Sequence, residues 1–384
     1  MKQELLPITA RSDFDRQMMT LALSAANRAL GATSPNPTVG AVIADENTQS
    51  VISVAATAPG GRPHAEPIAI EQAGERARGA TMYVTLEPCS HVGRTPPCAD
   101  AVVAAGLSRV VMAQEDPDPR VSGRGTAMLR AAGIEVERGL LNAEAKWLTR
   151  GHILRVTERR PFVQVKLAVS NEFTIARGRD GRPAWVTGGI ARAHGHLLRA
   201  RSDAILVGNG TVNDDDPDLT CRLPGLTERS PVRVILSGSK LPLPTSRLVR
   251  SALQTPVWII STRRLLALQS AEAEELAGLG CRIIGVNEVG GRPWLPDVAE
   301  ALVAEGITRL LVEGGPTVWR SFSEAGLADE VVIFRAGGGK AAGNYRCPDI
   351  PTAAQIASLL PGLALHLYDV RHVGDDVMLT YRQS

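Results

Sequence analysis

Residue types that ordinarily bind zinc occur here beside a carboxylate. His64-Ala65-Glu66 opens one apolar stretch, and Cys89 and Cys98 follow with eight residues between them, in the run Thr85-Leu-Glu-Pro-Cys-Ser-His-Val-Gly-Arg-Thr-Pro-Pro-Cys98. A catalytic zinc commonly takes three protein ligands and keeps a fourth position for water. His64, Cys89 and Cys98 make such a set, for one zinc ion per chain. Zinc lowers the pKa of a bound water to ~7, which provides hydroxide at neutral pH. Glu66, two residues from the ligating histidine, is placed to take that water's proton and deliver it to a leaving amine. Two other uses compete for the cysteine pair. A structural zinc would want a fourth ligand, for which His91 is the candidate. A disulfide is disfavoured, because Cys89, Cys98, Cys221, Cys281 and Cys347 are too few and too scattered to frame a chain of 384 residues.

The order His-x-Glu, strand, Pro-Cys is the logic of the zinc deaminases of nucleobases, whose second motif is usually P-C-x-x-C. Here Ser90 to Pro97 fill the interval. That length speaks against nucleic-acid editing and for an inserted loop that helps to bind a small substrate. Composition agrees: net charge is +2 with acids and bases intermixed, and aromatics are only 4%. Neither a polyanion-binding surface nor base-stacking platforms are expected. Hydrophobic content of 44% and charged content of 21% suit a soluble globular protein. The opening residues Met1 to Ala10 lack the apolar core of a secretory signal, and no apolar run is long enough to span a bilayer. The expected compartment is the cytoplasm, with a small-molecule substrate and neither nucleic acid nor membrane as partner.

The length predicts two domains. In the first half, helices over 15–30, 65–77, 99–105 and 125–132 alternate with strands over 39–43, 51–55, 81–85, 109–113 and 134–137. Ser34-Pro-Asn-Pro37 reads as a rigid polar loop. A charged helical stretch over 142–160 ends at Arg159-Arg-Pro161, which places the boundary. The expected division is a first domain over 1–150, a linker over 151–159 and a second domain over 160–384. A new alternation of strands (162–168, 203–207, 232–236, 257–260, 282–286, 309–313, 329–335) and helices (189–200, 271–279, 295–305) builds the second domain. Both halves are α/β, sheets covered by helices.

The second half lacks a G-x-G-x-x-G after its first strand. Its glycines lie instead at two other strand ends, Val207-Gly-Asn-Gly-Thr-Val212 and Leu311-Val-Glu-Gly-Gly-Pro-Thr-Val-Trp319. Gly314 and Gly315 allow close backbone approach and Pro316 suits a first helical turn. A helix N-terminus there makes a phosphate site. Taken alone, Gly-Gly before a helix is a tight turn. On these features alone two readings stay open. One is a two-step enzyme. The other is a deaminase of another nucleotide carrying a nucleotide-binding or regulatory module.

Together, "SPNPTVGAVI" (34–43), "HAE", "TLEPCSHVGRTPPC" and "EDPDPRVSGRG" (115–125) resemble the deaminase half of the bifunctional riboflavin-biosynthesis deaminase–reductases. "VQVKLAVS" (163–170), "LLRARSDAILVGNGTVNDDDPDLTCR" (197–222), "PVRVIL" and "LLVEGGPTV" resemble the reductase half of the same family. The resemblance implies a cytidine-deaminase-like α/β/α domain followed by a dihydrofolate-reductase-like α/β domain. The first would deaminate 2,5-diamino-6-(5-phosphoribosylamino)pyrimidin-4(3H)-one to 5-amino-6-(5-phosphoribosylamino)uracil. The second would use NADPH to reduce the ribosyl group to ribityl. By resemblance Asn36 holds the pyrimidine, while His91 and Arg94 in the inserted loop, with Asp116, contact the rest of the substrate. In the reductase, Ala168, Trp185, Thr211, Asp215, Gly315, Pro316, Thr317, Val318, Trp319, Arg320 and Ser321 would contact NADPH. Arg199, Leu219 and Arg222 would hold the substrate, with Lys166 and Glu313 near its sugar. A homo-oligomer, dimer or tetramer, is also implied. The chain departs from the family pattern at Glu172-Phe173 (where an Asp-Gly turn is usual), Pro183, Ser237 and 336–340.

Overall fold

The computed structural model describes residues 10–91, 96–119, 121–174, 186–337 and 350–383. They form two compact units, Met1–Arg159 and Arg160–Ser384. Among the described residues no helix is long and apolar enough to cross a membrane.

The first unit is a sheet between helix layers. Its strands are β1 (Gly40–Asp45), β2 (Ser50–Ala56), β3 (Thr81–Val84), β4 (Arg109–Met112) and β5 (Glu135–Arg138), in the order β2-β1-β3-β4-β5. β1 runs antiparallel to both neighbours; β3, β4 and β5 are parallel. Alternation along β1 splits the core between the two faces. Ala41 and Ile43 join Met82, Val84, Val110 and Met112 on one side, and Val42 and Ala44 join Tyr83 and Val111 on the other. Helix α1 (Ala10–Ala29) covers the second face with Phe14, Met18 and Ala22, spaced four apart on one stripe. It comes so close at Gly40 that a Cβ there would lie 1.9 Å from the Ala22 carbonyl oxygen. Helices α2 (Ala65–Ala73), α3 (Cys98–Ala104) and α4 (Arg124–Ala131) supply Ala69, Val102 and Leu129 to the first face. Helix α5 (Asn142–Leu148) adds Ala145 beside α1, and α6 (Arg150–Thr157) follows. Most of the segment expected as a linker, 151–159, is therefore helical and lies inside the first unit.

The second unit holds a nine-stranded sheet. In chain order its elements are β6 (Phe162–Val169), α7 (Gly189–Ala200), β7 (Ala204–Gly208), α8 (Asn209–Asp215), β8 (Val232–Ser237), α9 (Arg247–Arg250), β9 (Val257–Thr262), α10 (Arg263–Leu268), α11 (Ser270–Gly278) and β10 (Arg282–Val286). A small ribbon of β11 (Glu288–Val289) and β12 (Arg292–Pro293) precedes α12 (Leu295–Ala304), β13 (Arg309–Val312), α13 (Pro316–Glu324), β14 (Glu330–Arg335), α14 (Ala353–Leu359), β15 (Leu365–Val373) and β16 (Asp376–Gln383). The strand order is β10-β9-β8-β7-β13-β6-β14-β16-β15, parallel as far as β14 and antiparallel beyond it. Because β13 inserts between β6 and β7, the carboxyl ends of these three strands lie side by side. Open α/β sheets bind ligands at such a reversal of strand order.

The final hairpin, β15 and β16, is not among the expected strands. Its apolar residues alternate in Leu365, Leu367, Val370 and Val373, but a register shift between Leu367 and Asp369 breaks the period of two. At the departure near residue 172, Phe173 adopts φ 59, a conformation that favours glycine. It is held there by packing on the core and by Arg335, whose guanidinium lies 5.0 Å from its ring centroid.

One buried cation ties the first sheet together. Arg109, 2% exposed, donates to Asp15 at 2.7 and 2.9 Å, to Glu46 at 2.6 Å and to Glu137 at 2.7 and 3.0 Å. The Tyr83 hydroxyl donates to the same Asp15 carboxylate at 2.6 Å. Removing one member of such a cluster strands the others without water. Arg109→Ala should therefore cost the first unit about 3–5 kcal/mol, measured as a fall in its denaturant midpoint. A loss below ~1 kcal/mol would contradict that account.

Candidate active sites

In the first unit, His64 is the residue before α2, with extended backbone (φ −69°, ψ 166°). Cys98 opens α3, and Cys89 follows the turn after β3. The three ligand atoms lie within 4.8 Å of one another. His64 Nδ1 is 3.3 Å from Cys98 Sγ and 3.8 Å from Cys89 Sγ, and the Cys98 amide donates to Cys89 Sγ at 3.3 Å. Tetrahedral zinc with ordinary Zn–S and Zn–N bonds sets nitrogen–sulfur pairs about 3.5 Å apart. The residues thus fit the ion. His91 is exposed and lies on the wall of the adjoining cleft, outside this group.

The thiols already behave unequally. Hydrogen bonds from the Cys98 thiol and from His64 hold the Cys89 thiol far below the ordinary range, at about 4. Cys98, which donates that bond and is buried, is pushed up. His64 is raised by its bond to Cys89. Glu66 is 3% exposed, and its Oε2 has no hydrogen-bond partner among the described residues. Burial pushes its carboxyl up to about 7, against the opposing pull of His64. An orphaned buried oxygen beside three metal ligands is what a proton-transferring carboxylate needs.

These groups open into a cleft of about 600 Å³ lined also by Asn36, Pro35, Arg62, Asp116, His152 and Arg155. The Asn36 side-chain amide donates to the Gly61 carbonyl at 2.8 Å. Thr33 closes its loop through the Asn36 carbonyl at 3.1 Å and the Thr38 hydroxyl at 2.7 Å. Asp116, 8% exposed, takes the Asp118 amide at 2.9 Å and His152 Nε2 at 3.2 Å, both on Oδ1. Its segment is anchored by Glu87, a buried carboxylate that accepts from the amides of Asp116, Gly123 and Thr126 and from the Thr126 hydroxyl. Glu87, His152 and Arg155 are not among the expected site residues. Glu87 sits in the quoted motif and is legible there as a buried acid. The other two lie where a linker was expected. Arg94 lies outside the described residues.

In the second unit the strand ends gather a second set. Glu313 follows β13, 8% exposed at its side chain. Arg199 from α7 grips it with two bonds of 2.9 Å, from Nε and Nη2, and Lys166 Nζ from β6 stands 3.9 Å away. Burial raises the Glu313 carboxyl, but Arg199 and Lys166 outweigh it and hold it at about 2. The remaining arm of Arg199, Nη1, donates to the Thr220 carbonyl at 3.1 Å. This arginine, expected to hold substrate, therefore has all three nitrogens engaged within the protein. Thr220 lies between Leu219, buried with φ 56, and Arg222, whose amide donates to His196 Nδ1 at 3.3 Å. His196, absent from the expected set, is held below its ordinary range by burial and by Arg199 and Arg222.

The glycine turn expected before a helix is present at the end of β13. A Cβ on Gly208 would lie 2.8 Å from Val318 Cγ2, and one on Gly314 2.8 Å from Val318 Cβ. The missing side chains let the first turn of α13 press against the end of β7. Gly315 is the residue before that helix, Pro316 its first residue, and Thr211 Oγ1 lies 3.8 Å from where a Gly315 Cβ would be. A helix N-terminus with this close approach suits a pyrophosphate. Thr317 and Ser321 face one side, the Ser321 hydroxyl donating to the Thr317 carbonyl at 2.8 Å. Trp319, 2% exposed, points into the core instead, with Arg320 5.6 Å from its ring centroid. Ala168 lies on the same face of β6 as Lys166, and Asp215 ends α8, its carboxyl raised by burial and by Asp214. Trp185, Pro183 and 338–340 lie outside the described residues. Ser237 is fully buried, and its Oγ has no partner among the described residues.

A zinc-binding acid–base cleft in an α/β/α unit, joined to a reductase-type α/β sheet, defines a two-domain enzyme. Residues 12–114 match the cytidine and deoxycytidylate deaminase zinc-binding region, and 161–379 match the RibD C-terminal domain. The riboflavin biosynthesis protein RibD of Aquifex aeolicus is 36% identical over 97% of this chain and 99% of its own. That of Escherichia coli is 37% identical over 95% and 98%. Acinetobacter baumannii RibD superposes with a TM-score of 0.80 at 34% identity, covering 97% of this chain and 99% of that one. A Thermotoga maritima structure, described as a diaminohydroxyphosphoribosylaminopyrimidine deaminase/5-amino-6-(5-phosphoribosylamino)uracil reductase, superposes with 0.74 at 30% identity, covering 97% and 99%. The chain belongs to the RibD family of riboflavin biosynthesis proteins: its first domain is a zinc deaminase and its second an NADPH-dependent reductase.

The Glu313 clamp has a pH signature. A carboxyl held at about 2 in the folded chain and near 4.3 unfolded stabilises fully above the unfolded value. That contribution, on the order of 3 kcal/mol, is lost as pH falls from ~4.3 towards 2. The Tm of the second unit should fall over this window in the wild type and fall less in Glu313→Gln. Parallel Tm curves would contradict it.

Proposed function

We propose that the first domain acts on 2,5-diamino-6-(5-phosphoribosylamino)pyrimidin-4(3H)-one, giving 5-amino-6-(5-phosphoribosylamino)uracil and ammonia, and that the second reduces the ribosyl group of this product to ribityl. The observation that carries the reading is the buried Glu66 carboxyl, whose Oε2 has no partner among the described residues, beside three residues in zinc-ligand geometry. His64, Cys89 and Cys98 would hold the zinc, which when bound would act as a Lewis acid and make a water acidic near neutrality. Glu66 accepts the proton this releases and returns it to the departing nitrogen, which leaves as ammonia. Asn36 holds the pyrimidine edge, and Asp116 receives polar groups of the sugar, with His91 on the cleft wall; Arg94 is assigned to the substrate by the family resemblance alone.

In the second domain NADPH supplies the hydride. Thr211, Asp215, Ala168 and the 315–321 turn hold the cofactor, and Trp185 is assigned to it by the family resemblance alone. Lys166 and Glu313 stand at the sugar, and Leu219 and Arg222 hold the remainder. Glu313, kept ionised by Arg199, holds the Lys166 ammonium near the reacting carbon. The cytoplasm suits the free thiols of Cys89, Cys98, Cys221 and Cys281. A homo-oligomer, dimer or tetramer, is favoured by the long edge strand β15, since such edges pair readily with a second chain.

Glu66→Gln should keep its zinc and lose ammonia release by about 10²–10⁴-fold, while oxidising NADPH normally on the preformed uracil. Wild-type ammonia release in a variant that retains metal would sink the assignment. Stripping zinc with a chelator should abolish ammonia release and leave NADPH oxidation on the uracil intact. Equal loss of both activities would show that the metal serves the whole fold instead.

A further inference from the structure

The match to the deaminase zinc-binding region ends at residue 114, yet the wall of the deaminase cleft continues to His152, Arg155 and Val156 on α6. Residues 152 and 155 are three apart and share a helix face. Each reaches a part of the cleft already given a role. Arg155 Nη1 donates to the Pro35 carbonyl at 2.5 Å, next to Asn36. His152 Nε2 is 3.2 Å from Asp116 Oδ1. The helix thus fastens the two loops that bracket the cleft beyond the metal group.

The two side chains are occupied to different degrees. His152 and the Asp118 amide both bond to Oδ1 of Asp116, which leaves Oδ2 as the acceptor for a ligand hydroxyl. Arg155 spends one donor on Pro35, and its Nε and Nη2 have no partner among the described residues. Those two nitrogens form the side of the guanidinium that grips a phosphate with parallel bonds. Neither of two acids in the cleft wall takes up those nitrogens: Glu87 is occupied by the amides of 116, 123 and 126, and the Oδ1 of Asp116 by His152 and the Asp118 amide. A volume of about 600 Å³ also exceeds what a bare pyrimidine needs and suits a nucleotide-sized molecule.

We propose that α6 completes the deaminase's substrate site, with Arg155 receiving the phosphate of the phosphoribosyl group and His152 acting as a positioning residue that aims Asp116 at the sugar. The proposal rests on the reading of the deaminase substrate given above. It makes this helix, which follows the zinc-binding region in the chain, the element that selects a phosphorylated riboside over a smaller aminopyrimidine.

The test uses the full-length zinc-loaded protein and two substrates, the phosphorylated diaminopyrimidine and its phosphatase-treated riboside. Arg155→Ala should raise KM for the phosphorylated substrate by roughly 10- to 100-fold, as charge-assisted hydrogen bonds are lost. Its kcat should change little, and its KM for the riboside should rise much less, because only the bond to the Pro35 carbonyl is forfeited there. Arg155→Lys keeps the charge without the fork and should fall between the two. His152→Phe should lower kcat/KM on both substrates, and His152→Gln, which restores a donor, should recover most of it. Reduction of the preformed uracil should be unchanged in every variant, which reports an intact chain. Equal losses on both substrates in Arg155→Ala, with the wild type active, would overturn the phosphate assignment. Failure of the wild type to deaminate the phosphorylated substrate would overturn the underlying reading and this proposal together.

Discussion

Burial disfavours a charged carboxylate, and much of the first domain follows from that constraint. Glu66 is 3% exposed and its carboxyl is pushed up to about 7. Its position at the start of α2 puts it one residue beyond Ala65, which follows His64, so the carboxylate and the imidazole leave the same helix end together. The cysteines arrive from two further elements, the turn after β3 and the first residue of α3. Three separate chain segments must converge within 4.8 Å for the group to exist. The sheet and its covering helices provide that convergence, with small residues such as Ala65, Ala69 and Ala99 filling the space behind it.

Around this centre, buried charges are arranged so that each has a partner. Glu87 holds the loop bearing Asp116 by accepting from three amides and a hydroxyl. Arg109 collects three carboxylates at the start of β4. In the second domain Arg199 does for Glu313 what the amides do for Glu87, and it also reaches the Thr220 carbonyl of the neighbouring loop. An unpaired charge in any of these places would cost several kcal/mol. These pairs also fix position, since each buried charge holds the segments that carry its partners in one arrangement.

The site was unevenly legible in the residues. His64, Glu66, Cys89 and Cys98 are close enough in type and order that their chemistry reads directly, because zinc ligation has few possible side chains. The glycine turn before α13 was legible for a similar reason: Gly314-Gly315-Pro316 has a restricted set of backbone uses. Trp319 was not, because a motif names a run of residues while a helix sends successive side chains to different faces. Arg199 reads as a phosphate-binding arginine in one dimension and is a clamp on Glu313 in three. His152 and Arg155 carry no signal at all, standing in a charged stretch that looks like a linker, and the β15–β16 hairpin is masked by its own register shift.

By itself, then, the sequence determined the local features: a zinc-type ligand set with an adjacent carboxylate, a glycine-lined helix entrance, and alternating strands and helices to carry both. These are local properties, set by side-chain type and short-range spacing. Which residues from distant segments meet was decided by the tertiary structure alone. The insertion of β13 between β6 and β7 brings Glu313 to Arg199 and Lys166, and the packing of α6 brings His152 to Asp116 across 36 positions. Such contacts depend on strand order and helix docking, which follow from how the whole apolar surface is buried, and that is a property of the entire chain.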